Sequence, residues 1–161
     1  MSASAPDHEV NIRSAGFFVA RRPAACLRCR EPISLIAVAL PQGHSTLDPD
    51  TDGWEIAALN AFTFYMGYLP DDVGSRLKQY SSSFRLVYSE QTLDTYWANH
   101  CERCASLQPD HDLFCEPGGA FAPISKIDAA AIELAVIEAP FEASAAGYAY
   151  QPEFFGFMRR F

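Results

Sequence analysis

The chain is short of positive charge: 12 Lys and Arg stand against 20 Asp and Glu, giving a formal charge of −8 and a pI near 4.8. Such a balance argues against a protein whose main task is coating nucleic acid or an anionic membrane, because phosphate binding is driven by Lys and Arg. No apolar run comes near the roughly 18 residues that span a bilayer. The opening MSASAPDHEVNIRS has no basic stretch followed by an apolar one, so it does not read as a secretion signal. No GxGxxG, P-loop, HExxH or Ser–His–Asp order occurs, which removes the commonest nucleotide-binding and hydrolytic enzymes but not enzymes as a class. What is present is a chain of 161 residues, 49% hydrophobic and 20% charged, able to bury a core. The expectation is a soluble, cytoplasmic protein with a flexible tail over 1–15 and one domain over 16–161.

The cysteines are the strongest signal. Four of the five fall into two identical spacings, Cys26-Leu-Arg-Cys29 and Cys101-Glu-Arg-Cys104. Two intervening residues let a tight turn aim both sulfurs at a centre about 2.3 Å away, half of a tetrahedral zinc shell. Two such turns would complete a closed, structural Zn2+ site with Cys26, Cys29, Cys101 and Cys104 as ligands, and a reducing compartment keeps those thiols available. Cys29 and Cys101 lie 72 positions apart, whereas compact zinc ribbons separate their halves by roughly 15–20 residues. Closing the longer loop adds little, because its entropy grows with the logarithm of length. The same pattern also admits free thiols in two unrelated turns, a redox-active CxxC, or an iron–sulfur cluster. Cys115, in Leu113-Phe114-Cys115, reads as a small buried hydrophobe, with a thiol nucleophile assisted by His100 or His111 as the alternative.

Along the chain, Phe17–Ala20 and Ile33–Leu40 read as strands flanking the first cysteine pair, the second bounded by Pro32 and Pro41. Residues 42–53, with His44, Asp48, Asp50 and Asp52, read as an exposed loop without the spacing of an EF-hand. Trp54–Tyr65 places apolar residues on one helical face, and Pro70-Asp71-Asp72 opens a second helix through Tyr80. Residues 54–80 are therefore expected to form a helical insertion between the two cysteine turns. Ser83–Ser89 and Tyr96–Asn99 read as a hairpin running into Cys101, and 127–138 fits a strand or a helix, with strand favoured. The fold expected from these pieces is α+β: a small antiparallel β core, a four-cysteine zinc-ribbon-like site and the helical insertion.

Val87-Tyr88-Ser89, Tyr96-Trp97-Ala98-Asn99-His100-Cys101-Glu102-Arg103-Cys104, Gln108-Pro109-Asp110 and Glu116-Pro117-Gly118-Gly119-Ala120-Phe121 together resemble uncharacterised bacterial zinc-ribbon-like proteins, in which a hairpin precedes an N-x-C-x-x-C turn. Phe17–Leu40 is similar to the opening turn of the same kind of protein. The resemblance implies a structural metal on Cys26, Cys29, Cys101 and Cys104, and it carries no activity. Pro109 departs from it, standing where a glycine is expected.

The function expected is a non-catalytic, zinc-stabilised binding or adaptor protein with a protein partner. A thiol enzyme or redox protein and a nucleic-acid-binding zinc ribbon are the alternatives. The last would act through Arg13, Arg21, Arg22, Arg28 and Arg30, which otherwise balance nearby acids and the anionic tetrathiolate centre. The aromatic segment Tyr148–Phe161 is either core or a surface for a partner or a second copy of the chain.

Overall fold

The computed structural model describes residues 9–151 and 153–161. Among these residues the twelve strands are β1 (Ile12–Ser14), β2 (Phe17–Ala25), β3 (Pro32–Leu40), β4 (Ser45–Leu47), β5 (Trp54–Ile56), β6 (Ala61–Tyr68), β7 (Arg85–Ser89), β8 (Asp94–His100), β9 (Leu107–Gln108), β10 (Glu133–Ile137), β11 (Phe141–Tyr150) and β12 (Arg159–Arg160). Helix α1 covers Asp71–Tyr80, α2 covers Lys126–Ala130, and His111–Cys115 makes one π-helical turn. Nine strands follow one another in the order β12-β10-β2-β3-β6-β11-β1-β4-β5, curled into a half-barrel, while β8 branches from β6 and carries β7 and β9.

This overturns the α+β expectation of a small core with a helical insertion, since 43% of the chain is strand and 16% helical. The error lies in Trp54–Tyr65, where β5 and the start of β6 replace the expected helix. The Ala61-Phe-Thr-Phe-Tyr-Met-Gly-Tyr run is aromatic and contains a β-branched Thr, a composition suited to a pleated surface. Its alternation breaks at Tyr65. Tyr65 has φ 50°, and across it the pattern inverts: Phe62 and Phe64 enter one core layer while Met66 enters the other. The second predicted helix stands, as α1, with Asp71 and Asp72 in its first turn and Val73 and Leu77 buried.

The main sheet is buried on both faces. In β3, Leu35, Ala37 and Ala39 pack with Phe62, Phe114 and Phe121 on one side, and Ile36, Val38 and Leu40 pack with Val73 and Leu77 on the other. That double burial is why Ile33–Leu40 reads as an unbroken apolar run. The remaining strand readings are placed by β2, β7, β8 and β10, and α2 precedes β10 within the ambiguous 127–138 stretch.

Two smaller expectations change, and the C-terminal segment follows its core alternative in part. The tail expected through residue 15 meets β1, with Ile12 buried, and the part over 1–8 lies outside the described residues. His44, read as loop surface, is 1% exposed, and its Nδ1 donates to the Pro41 carbonyl at 2.7 Å. The C-terminal segment is docked: Phe155 and Met158 join the core, and β12 runs parallel to β10.

Candidate metal centre

Each cysteine pair sits in the turn of a β-hairpin. The first joins β2 to β3, closing just beyond the Ala25–Pro32 pair, and the second joins β8 to β9 beyond His100–Leu107. The two turns repeat one hydrogen-bond pattern. Cys26 Sγ accepts from the Arg28 and Cys29 N–H groups at 3.3 and 3.4 Å, and Cys101 Sγ from those of Arg103 and Cys104 at 3.3 and 3.4 Å. The Cys26 carbonyl accepts from Arg30 N–H, and the Cys101 carbonyl from Ala105 N–H. Arg30 and Ala105 both take left-handed backbone, with φ 68° and 64°, which ends each turn and returns the chain to the sheet.

The turns face each other. Cys26 and Cys104 sulfurs are 3.7 Å apart, as are those of Cys29 and Cys101, and all four lie within 4.8 Å of one another. A tetrahedron with metal–sulfur bonds of about 2.3 Å has edges of about 3.8 Å, so the spacing fits one four-coordinate ion. A disulfide, by contrast, needs about 2.05 Å. Cys26 and Cys101 are buried, Cys29 is half-buried and Cys104 is exposed.

Two residues behind the sulfurs complete the arrangement. The Ser106 hydroxyl lies 3.0 Å from Cys104 Sγ and 3.4 Å from Cys26 Sγ. Gln108, 1% exposed, donates from Nε2 to Cys26 Sγ at 3.4 Å while its Oε1 accepts from Leu27 N–H at 3.0 Å. The second hairpin thus grips the backbone of the first. The Ser106 hydroxyl, helped by the Cys29 and Arg28 N–H groups, draws the Cys26 thiol down to about 5, and Ser106 also lowers Cys104. Although Glu31 N–H favours a thiolate at Cys29, burial and the neighbouring sulfurs push that thiol up to about 12. Four sulfurs this close resist ionising together unless a cation neutralises them.

All four expected ligands therefore converge. Ser106 was not singled out by the sequence reading. Gln108 entered it only within the Gln108–Asp110 motif, whose spacing does not disclose that one amide reaches both turns. Cys115 corrects the expectation of a buried hydrophobe: it is exposed, at the end of the π-helical turn. Partial desolvation and the Asp110 and Glu116 carboxylates push its thiol up, away from nucleophile chemistry. Neither nearby imidazole serves it. His100 Nδ1 donates to the Ser83 and Ala98 carbonyls, and His111 Nε2 lies 3.7 Å from Glu116.

Of the N-terminal arginines, Arg13 stacks on Trp54, Arg21 pairs with Glu133, and Arg22 pairs with Asp128 at 2.7 Å, while Arg28 and Arg30 are exposed beside the first turn. No helix among the described residues is long and apolar enough to cross a membrane. No protein-family model matches the chain, and neither does any curated protein or solved structure.

Proposed function

We propose that Cys26, Cys29, Cys101 and Cys104 hold one structural zinc ion, and that the protein is a non-catalytic, zinc-stabilised binding or adaptor protein of the cytoplasm. The observation that carries the zinc reading is the 3.7 Å spacing between sulfurs of opposite turns, the edge of a tetrahedron sized for zinc and thiolate. Four protein sulfurs leave no coordination position for water or substrate, which is the mark of a structural rather than a catalytic ion. The thiolate donor set suits zinc or a single iron, whereas a multi-iron cluster would hold its cysteines farther apart than 4.8 Å. Zinc here would tie β2–β3 to β8–β9, hairpins remote in the chain, and Gln108 would orient Cys26 toward the ion.

For the adaptor role the support is the surface. Tyr148, Tyr150, Phe157 and Phe161 are each between 42% and 48% exposed, aromatic area of the sort that carries binding energy between proteins.

Metal analysis of protein purified without chelator tests the site. The expected result is one zinc per chain with four thiols protected until a strong chelator is added; metal-free protein, or iron in its place, refutes it. The adaptor reading is tested by affinity capture with wild type and a Tyr148→Ser/Phe157→Ser double variant. A partner lost by the variant supports the adaptor reading, and a turnover reaction dependent on Cys115 refutes the non-catalytic reading.

A further inference from the structure

Exposure divides the four sulfurs unequally. Cys104 is at the surface, whereas Cys26, against which it lies at 3.7 Å, is completely buried. The other close pair, Cys29 and Cys101, is half-buried against buried. Cys104 is therefore the cysteine of the four that an aqueous oxidant meets first, and a sulfur able to resolve the product lies 3.7 Å from it on the opposite hairpin.

We infer that Cys104 is a site of oxidation by hydrogen peroxide, and that the modification closes a Cys26–Cys104 disulfide that expels the metal while keeping the two hairpins tied. The inference rests on the zinc reading above for the expelled ion. In the first step the Cys104 thiolate attacks one peroxide oxygen, the O–O bond breaks, and hydroxide leaves, making a sulfenic acid at Cys104. In the second step the Cys26 thiolate attacks the Cys104 sulfur and a second hydroxide leaves. Two electrons pass from the two sulfurs to the peroxide, and two protons from the buffer convert the hydroxides to water. The disulfide would leave only Cys29 and Cys101 as thiolates, too few to retain a bound ion.

The geometry makes the second step a small movement. Closing 3.7 Å to about 2.05 Å asks each sulfur to move by somewhat under 1 Å. Both lie in turns rather than within strand ladders, so a side-chain rotation and slight turn adjustment absorb it. The bond would link positions 78 apart, so it constrains the same long loop that the metal closes. Peroxide and chelator should thus differ: the first removes zinc and leaves a cross-linked fold, the second removes zinc and leaves the hairpins untied.

The test is hydrogen peroxide titration of the full chain carrying Cys115→Ser, which eliminates the exposed thiol outside the site. Zinc release is followed with a chromogenic chelator, and disulfides are mapped by peptide mass spectrometry without reduction. The expected result is loss of the zinc together with a Cys26–Cys104 linkage as the first disulfide, reversed by dithiothreitol and added zinc. Bonds within one turn, Cys26–Cys29 or Cys101–Cys104, overturn the inference, as does sulfinic acid at Cys104 without a disulfide. Protein that never held zinc but still forms Cys26–Cys104 refutes the zinc reading alone and leaves the pairing standing. Cys104→Ser should abolish that linkage; if this variant fails to fold, the mapping on the parent chain decides.

Discussion

The side-chain amide of Asn99 pairs with both backbone groups of Ile36: Ile36 N–H donates to Oδ1 at 2.9 Å, and Nδ2 donates to the Ile36 carbonyl at 2.8 Å. Strand β3 pairs with β6 only as far as Val38, and β8 takes up the same side of β6 at Met66. Ile36 lies in the opening where those neighbours part, and Asn99, two residues before Cys101, stands in for a missing strand. Asn11 does the same for Ala145, beside the register shift between β11 and β6, with bonds of 2.7 and 2.9 Å.

Asn99→Ala should therefore destabilise the fold by about 2–4 kcal/mol, because it leaves a buried N–H and a buried carbonyl without partners. Chemical denaturation of the metal-loaded protein measures this, and hydrogen exchange should show the Ile36 amide losing protection. A change under about 0.5 kcal/mol would mean that water fills the gap at no cost.

Cys101→Ser and Cys115→Ser should separate sharply. Structural zinc contributes apparent binding free energy on the order of 10 kcal/mol, comparable to a domain's whole stability, so Cys101→Ser should lose cooperative unfolding. The exposed Cys115 should change stability by no more than about 0.5 kcal/mol. Equal melting temperatures for wild type and Cys101→Ser would count against a metal-tied fold.

Asp110 carries a pH dependence of known sign. Its carboxylate accepts from Tyr65 N–H at 2.8 Å, which favours the charged form, but burial outweighs that bond and pushes the group up to about 7. An unfolded aspartate titrates near 3.9. With the folded value the higher, the protonated group's contribution is complete below about pH 4, declines between about 4 and 7, and is gone above. Asp110→Asn keeps an acceptor for Tyr65 without the charge. Relative to wild type it should gain stability as pH rises from 5 to 8, by up to a few kcal/mol. Because both proteins share the cysteine site, its acid sensitivity cancels in the difference. Parallel profiles for the two proteins would refute the assignment.

Gly119 has no room for a side chain. A β-carbon there would collide with the Asp112 carbonyl and crowd those of Leu113 and Glu116, all backbone atoms. Gly119→Ala should cost about 1–3 kcal/mol or more, by forcing apart the turn that precedes the buried Phe121. Gly156 has open space around its Cα, so Gly156→Ala is the control, expected within about 0.5 kcal/mol in a thermal melt.

The cysteine cluster was legible in the sequence because a CxxC turn is a local object: its spacing alone aims two sulfurs at one point, whatever surrounds it. Strand β3 was legible for a similar reason, an apolar run between two prolines too short for a long helix. The fold was not. Ala61–Tyr68 became a strand because β11 and β3 pair along it, and its alternation is hidden by the left-handed Tyr65, whose N–H is held by the Asp110 carboxylate 45 positions away. The exposure of Cys104 and Cys115 and the burial of His44 likewise depend on neighbours far along the chain. Spacing determined which side chains can share a ligand, since that needs only a few adjacent dihedral angles. Long-range strand pairing decided that the two turns meet, how their sulfurs are exposed, and which hairpin grips the other.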